Sequence, residues 1–205
     1  MSFPLEMTRD SGSGPVSLEI GPLERRYAPL RVCDAGRQNR LAASMLAHGQ
    51  QTPVLVVPGA AGRYVLIDGY ARVAALESMS RDLVDALVLS GTETQALVLA
   101  YRMETGRRRT ALEEAWLLRE LVEVHGENAT TLAVSLQRSA SWISRRLALV
   151  RVLPESVQSA VRRGQLPPQA AMKSLVPLAR ANRTQCEDLG IWMPRDGLDV
   201  SKWVR

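Results

Sequence analysis

The chain has 205 residues, 46% hydrophobic and 4% aromatic, with a net charge of +5 and a pI near 9.8. That length holds one large or two small domains, and that apolar content builds real cores, which excludes a disordered chain. Few aromatics and an abundance of Leu, Val and Ala favour α or α/β architecture over a β-sandwich, and the basic balance points to a polyanionic partner.

Cys33 and Cys186 lie far apart and have no metal-ligand spacing with His48 or His125, so reduced structural thiols are expected rather than a zinc site. No apolar run approaches a membrane span. The start, MSFPLEMTRDSGSGPV, lacks a basic region followed by an apolar core, so a soluble, unexported, cytoplasmic protein is expected.

Residues 1–15 are rich in Ser, Gly and Pro and read as a disordered tail. A strand is predicted at Val16 to Ile20. A helix follows at Gln38 to His48, with Leu41, Met45 and Leu46 as its buried side and Gly49 ending it. Pro53 to Val57 and Tyr64 to Ile67 flank the turn-rich stretch Pro58 to Gly62 and read as a hairpin. Then come a helix at Tyr70 to Met79, a strand at Leu83 to Leu89 and a helix at Thr92 to Arg102. Together these predict a small α/β domain.

Thr110-Ala-Leu-Glu113 is a capping box and opens a helix to about Val124, with Trp116, Leu117, Leu121 and Val124 available for burial and Gly126 closing it. From there to about Arg180 the pattern is helical, broken at Pro154, Gly164 and Pro167-Pro168. Thr184 to Arg205 shows no clear period and is left unplaced.

Within the helical part, Thr130 to Pro154 has the spacing of a helix-turn-helix. Leu132, Ala133 and Leu136 give a first apolar face, and Ala133 is small where two steeply crossing helices approach. The break falls at Gln137-Arg138. Ser139 can cap a second helix with Ile143, Leu147 and Val150 inward. The exposed start of that helix, with Arg138, Ser139, Ser141, Trp142, Ser144, Arg145 and Arg146, offers hydroxyls and cationic forks suited to phosphates and base edges. Between Arg138 and Arg163 six arginines face one acid, Glu155, an excess equal to the charge of the whole chain. A helical hairpin with a merely solvated basic face is the alternative, and two positions favour it. Gln137 stands where glycine is usual, and Arg146 where an apolar residue often packs.

Three loops in the α/β part have the character of phosphate sites. Gly49-Gln50-Gln51-Thr52-Pro53 joins a helix to a strand. Gly69-Tyr70-Ala71-Arg72 turns a strand into a helix, where amides and the helix dipole favour an anion and Arg72 adds a fork. Glu104-Thr105-Gly-Arg-Arg108-Arg109 offers one carboxylate and a cluster of cations. A turn glycine and a surface cation are the plainer reading of Gly69 and Arg72.

The order of these loops, with RYAPLR at Arg26 to Arg31, LAASMLAHGQQTPVLVV at Leu41 to Val57, YVLIDGYARVAAL at Tyr64 to Leu76, ALEEAW at Ala111 to Trp116 and GQLPPQAA at Gly164 to Ala171, resembles the ParB/Noc/KorB family of DNA-partition proteins. The resemblance covers roughly residues 16–180. It implies an α+β ParB/sulfiredoxin-like domain at 16–109 followed by an all-α helix-turn-helix domain at 110–183, with 184–205 as an extension. It also implies a homodimer on a palindromic double-stranded DNA site, a CTP-dependent sliding clamp, a ParA-like ATPase as partner, and a place on the bacterial nucleoid or a plasmid. Gly49 to Pro53 and Gly69 to Arg72 would cradle the triphosphate. Glu104 would stand at the glutamate of the family's Glu-Asn-x-x-Arg loop, as metal ligand and catalytic group with Mg2+, Thr105 at its asparagine and Arg108 at its arginine.

Two positions depart from the family. The paired-arginine loop is Gly69-Tyr-Ala-Arg72, one cation and one acid short, and the magnesium-holding asparagine is Thr105. The resemblance therefore reaches further for nucleotide binding than for hydrolysis. Neither a leucine-rich dimerisation segment nor a basic Leu/Gly-rich N-terminal motif is visible, so dimer and ParA partner rest on the resemblance alone. The competing readings are a helix-turn-helix transcriptional regulator indifferent to CTP and a ParB-like nuclease. The second needs an acidic cluster, for which Asp68, Glu77, Glu93 and Glu104 are scattered. Sulfiredoxin chemistry needs a cysteine in the Gly69 to Arg72 loop, and none is there.

Overall fold

A computed structural model of the chain describes residues 14–104 and 108–192. They form two compact units: one takes residues up to Ala28 and from Asp34 to 104, the other Pro29–Cys33 and the residues from 108 on. Most of the expected tail, Thr105, Arg107 and residues 193–205 lie outside the described residues.

The first unit is built on a four-stranded sheet of order β1-β4-β2-β3, with β1 at Val16–Glu19, β2 at Val54–Pro58, β3 at Tyr64–Asp68 and β4 at Leu83–Val88. β2 and β3 form the expected antiparallel hairpin. β1 pairs antiparallel with β4, while β2 and β4 run parallel, from Val54 opposite Ala86 to Val56 opposite Val88. The β2 run Val54-Leu-Val-Val57 is buried throughout, as a central strand covered on both faces must be. Val54, Val56, Leu66, Val84 and Ala86 share a core with Met45, Val73 and Leu76 from helices α1 (Ala35–His48) and α2 (Tyr70–Ser78). Alternation leaves Leu55, Val57, Val65 and Ile67 for the other face, and α3 (Glu93–Arg102) packs against β2 and β3. Along β3, Glu24 N–H donates to the Tyr64 carbonyl and Leu66 N–H to the Glu24 carbonyl, 2.9 Å each, which covers that strand's outer edge.

Local signals set the helix ends. Asp34 caps α1 by accepting from Arg37 N–H, so the helix starts three residues before the predicted Gln38. Thr92 and Gln95 form a capping box for α3. Arg26 and Tyr27 of the RYAPLR stretch both reach the carboxylate of Glu93, in the first turn of α3. Leu46 is a correction: it is 74% exposed, because Leu41 and Met45 already share the inward face and position 46 falls a third of a turn away.

The second unit is helical. α4 (Ala111–Arg119) opens with the predicted Thr110/Glu113 capping box and runs on through a π turn (Glu120–Val124). That turn shifts the register, and Val124 is 68% exposed rather than buried, whereas Trp116, Leu117 and Leu121 are buried as expected. α5 (Ala129–Ser135), α6 (Ala140–Val152) and α7 (Glu155–Arg162) follow. Then α8 (Pro168–Ala170), a π turn (Ala171–Leu175) and α9 (Val176–Ala181) make one helical stretch. A helix not anticipated from the sequence, α10 (Arg183–Trp192), starts where the Asn182 side chain accepts from Gln185 N–H.

Buried polar bonds hold the unit together. Trp116 Nε1 donates to Gln158 Oε1 at 2.8 Å, and Gln158 Nε2 donates to the carbonyls of Val150 and Leu153, so every polar group of that buried amide is engaged. Glu113 is fully buried and serves twice, accepting from Thr110 N–H and from Val32 N–H. Cys33 N–H donates to the Arg162 carbonyl, and a Cβ on Gly164 would stand 2.3 Å from the Cys33 carbonyl oxygen. Pro29–Cys33 is thus laced to α4 and α7.

Candidate nucleic-acid and nucleotide interfaces

α5 and α6 are joined by a tight turn with a definite hydrogen-bond pattern. Gln137 N–H donates to the Val134 carbonyl and Arg138 N–H to the Ala133 carbonyl, with Gln137 at φ 54°. This is a Schellman closure of α5 carried by a glutamine in the left-handed region, at a cost of about 1 kcal/mol relative to glycine. The chain then reverses into Ser139, whose hydroxyl accepts from Trp142 N–H at 3.2 Å and caps α6. Leu132, Ala133 and Leu136 of α5 and Ile143, Leu147, Leu149 and Val150 of α6 are buried.

The opposite face of α6 is polar. Ser139, Ser141, Ser144 and Arg145 are exposed, as is Arg138 in the turn. The Ser139 and Ser141 hydroxyls lie 3.1 Å apart. Trp142 is half-buried between two guanidinium groups, Arg138 at 5.2 Å and Arg146 at 5.1 Å from the ring centroid. Arg146 donates from Nε to Glu114 Oε2 on α4 at 2.6 Å. Its charge is therefore met within the unit, and an arginine can stand where an apolar residue is usual. Arg162 is treated likewise, with Glu155 as ion-pair partner and its guanidinium 4.6 Å from the Trp116 ring centroid. The exposed remainder of the arginine cluster is Arg138, Arg145, Arg151 and Arg163.

In the α/β unit two of the three predicted loops meet. Gly69 has φ 106° and is buried, and a Cβ there would lie 2.4 Å from Val54 Cγ1, so only glycine lets α2 start against the residue that follows Pro53. No side chain caps α2, whose first amide donors face outward from the helix end, next to Tyr70, Ala71 and Arg72. Tyr70 turns back, its hydroxyl donating to the Leu66 carbonyl at 2.5 Å. Arg72 pairs with Asp68 at 3.2 Å. Burial pulls the Arg72 guanidinium below the ordinary arginine pKa and the Arg37 charge adds to that, while Asp68 opposes both.

The Gly49–Pro53 loop is held by its own side chains. Gln50 accepts from Asp85 N–H at 3.0 Å and donates to the Asp85 carbonyl at 2.7 Å, extending the β2–β4 ladder by one residue, and donates also to the Thr52 carbonyl. Gln51 donates to the His48 carbonyl. Gly49, with φ 70°, closes α1. Exposed Gly49, Gln51 and Thr52 and half-buried Pro53 form the loop surface, and the Gln50 amide is committed to the fold. Of the third loop, Glu104 is half-buried at the end of the α/β unit, Arg108 is exposed in the helical unit and Arg109 is buried. Among the described residues no group of three or more His, Cys, Asp or Glu side chains could hold a metal ion. No described helix is long and apolar enough to cross a membrane.

The architecture is an α/β domain of the ParB/sulfiredoxin-like kind followed by a helical region. Residues 7–105 match the family model of the ParB N-terminal domain. The nucleoid occlusion protein of Bacillus cereus (strain B4264) is 31% identical over 155 residues, 75% of this chain and 52% of the relative, and that of Bacillus anthracis matches to the same extent. The chain belongs to the ParB/Noc-like family. It spans about half the length of the curated relatives it matches. Among solved structures, the C-terminally truncated chromosome-partitioning protein ParB of Caulobacter crescentus with CTP-γ-S is 23% identical, with 88% of this chain and 99% of that one covered and a TM-score of 0.42. The same protein on its centromeric parS site is 22% identical, covers 92% and 96%, and has a TM-score of 0.44.

Proposed function

We propose that this chain is a ParB-type, sequence-specific DNA-binding protein in which α5, the turn and α6 act as a helix-turn-helix. The observation that carries the reading is the division of α6. Ile143, Leu147 and Val150 are buried, while Ser141, Ser144 and Arg145 stand exposed at the start of the helix, capped by Ser139. A helix so placed enters the major groove with its N-terminal residues on base edges, Arg145 offering a bidentate fork to a guanine. Arg138 and Trp142 flank it, and Arg151 and Arg163 add positive charge that steers the duplex. Family membership, with nucleoid occlusion proteins among the relatives, supports a role on the nucleoid or on a plasmid during partition, as a homodimer on a palindromic site. A ParA-like ATPase is the partner that this role implies.

The same reading gives the α/β unit a nucleotide, CTP, which would switch a DNA-loaded dimer into a sliding clamp. Its support is the junction of the Gly49–Pro53 loop with Gly69–Arg72, where an uncapped helix start and a half-buried arginine suit a phosphate chain. Among the described residues no group of three or more His, Cys, Asp or Glu side chains could hold a metal ion, so a Mg2+ ion here would be held largely by the nucleotide's own phosphates, with Glu104 as the carboxylate the family resemblance offers. Binding of labelled CTP, ATP and GTP with and without cognate DNA tests the nucleotide part. CTP-selective binding that Arg72→Ala abolishes supports it; no nucleotide binding under any condition overturns it and favours a regulator whose operator binding ignores CTP.

A further inference from the structure

An α-helix leaves its last carbonyls without donors from its own backbone, and each must find one elsewhere. At the end of α6 the carbonyls from Leu149 to Leu153 are all engaged. Leu149 accepts from Leu153 N–H at 3.0 Å. Val150 and Leu153 accept from Nε2 of Gln158 on α7, at 3.0 and 2.8 Å. Arg151 and Val152 accept from Nη1 of Arg183, at 3.1 and 3.0 Å. Arg183 is the first residue of α10, a helix that packs against α7 and α9.

A cation at that position is unfavourable for its own helix. The start of a helix carries a partial charge of roughly +0.5, and the first turn of α10 contains no acid to offset it. The same guanidinium stands against the end of α6, where the partial charge is negative and a cation is favoured. Arg183 thus serves α6 rather than α10. The carbonyls it grips lie roughly 10 Å along α6 from Arg145, at the end away from the residues that read bases.

The fork adds direction to the seating of α6. Burial of Ile143, Leu147 and Val150 holds the helix against the core but is non-directional, whereas hydrogen bonds fix angles. Arg146 and Glu114 supply one such hold midway along α6, and Gln158 and Arg183 supply the others at its end. Without Arg183 the end rests on the Gln158 amide alone. A rotation of about 5° around Arg146 then moves the start of α6 by about 1 Å, enough to stretch a base-edge hydrogen bond.

We propose that Arg183 is a positioning residue for DNA recognition: from the start of α10 it holds the last turn of α6, and so sets the angle at which Ser141, Ser144 and Arg145 meet the bases. This rests on the DNA reading of α6 and deepens it. Arg183 itself touches no base, and α10 becomes part of the reading apparatus through that one side chain.

Equilibrium binding of the full chain to a palindrome selected from random duplexes and to a scrambled control, each over a range of salt concentrations, tests this in wild type, Arg183→Ala and Arg183→Lys. Arg183 is exposed, so alanine empties no core, and thermal unfolding checks that both variants are folded at the binding temperature. The expected result for Arg183→Ala is a roughly fivefold to tenfold weakening on the selected site, with binding to the control and the salt dependence unchanged. Arg183→Lys keeps a donor and the charge but loses the planar fork, and is expected to fall between wild type and Arg183→Ala. A loss shared by both duplexes, with a salt slope shallower by about one, makes Arg183 a phosphate contact and overturns the positioning role. A lowered melting temperature with an unchanged ratio of selected to control binding makes the fork a purely structural bond and overturns it too; both of these results leave the DNA reading of α6 intact. A wild-type chain that selects no sequence overturns that reading, and the positioning role with it.

Discussion

Arg146 on α6 donates to Glu114 on α4 at 2.6 Å, and its guanidinium also faces the Trp142 ring. The pair is 27% and 13% exposed, so it is partly desolvated and worth more than an ion pair at the open surface. Arg146 is thus a positioning residue that fixes α6 on α4, whereas Arg145, its neighbour, points to solvent. Arg146→Ala is expected to lower stability by about 2 kcal/mol, because Glu114 loses a charge-assisted bond in a half-buried place. Arg145→Ala should leave stability within about 0.5 kcal/mol of wild type. Urea unfolding of the two variants separates them; equal stabilities would mean that the Glu114 bond does not anchor the helix.

Gly69 makes a sharper case. Its φ of 106° and the 2.4 Å approach of a Cβ to Val54 act together, so Gly69→Ala strains the backbone and overpacks the core at once. The expected destabilisation is about 3 kcal/mol, with loss of any anion affinity at the start of α2. Gly49 also has a positive φ, 70°, but a Cβ there meets nothing within 4 Å, and Gly49→Ala should cost about 1 kcal/mol. Thermal unfolding of the two variants side by side checks the ranking.

The α/β unit should also weaken in acid through a named pair. Arg25 holds the Glu77 carboxyl below the ordinary value of 4.5, chiefly by its side-chain hydrogen bond, which outweighs the opposing effect of burial, with the Arg25 charge adding a lesser pull in the same direction. A carboxylate whose folded pKa is depressed contributes stability that is complete above 4.5 and lost as the pH falls through the lowered value. Both side chains are more than a third exposed, so the contribution is under about 1 kcal/mol. Melting temperatures measured from neutral pH downwards should fall less steeply for Glu77→Gln than for wild type once the pH drops below about 4.5. Parallel curves would remove the pair from the acid response.

Much of this could be read from the sequence because local rules and burial agreed. The run at Pro53 to Val57, its hairpin with Tyr64 to Ile67 and the Thr110/Glu113 box each carry their own signal, and each forms, the strands spanning Val54–Pro58 and Tyr64–Asp68. Ser139 caps α6, and Ile143, Leu147 and Val150 face inward. The two positions that weakened the helix-turn-helix pattern have physical answers that no local pattern contains. Gln137 adopts the left-handed conformation within a Schellman closure, and the charge of Arg146 is met by a residue 32 positions away. The attachment of Pro29–Cys33 to the helical unit was hidden for the same reason, resting on Glu113 and on the carbonyl of Arg162. Val124 and Leu46 were misplaced by helical phase, one through a π turn and one by a single position. The start of α10 carries a local signal, the Asn182 side chain that accepts from Gln185 N–H, although the segment after it has no clear period.

The proposed task of α6 is to read DNA. The measurement that tests it most directly is equilibrium binding, at fixed salt, to a palindrome selected from random duplexes and to a scrambled control, for wild type and Arg145→Ala. Arg145→Ala is expected to cost about 1–3 kcal/mol on the selected site and much less on the control, since a base-edge contact is lost rather than a phosphate contact. A wild-type chain that binds both duplexes alike, or selects no sequence at all, would contradict it.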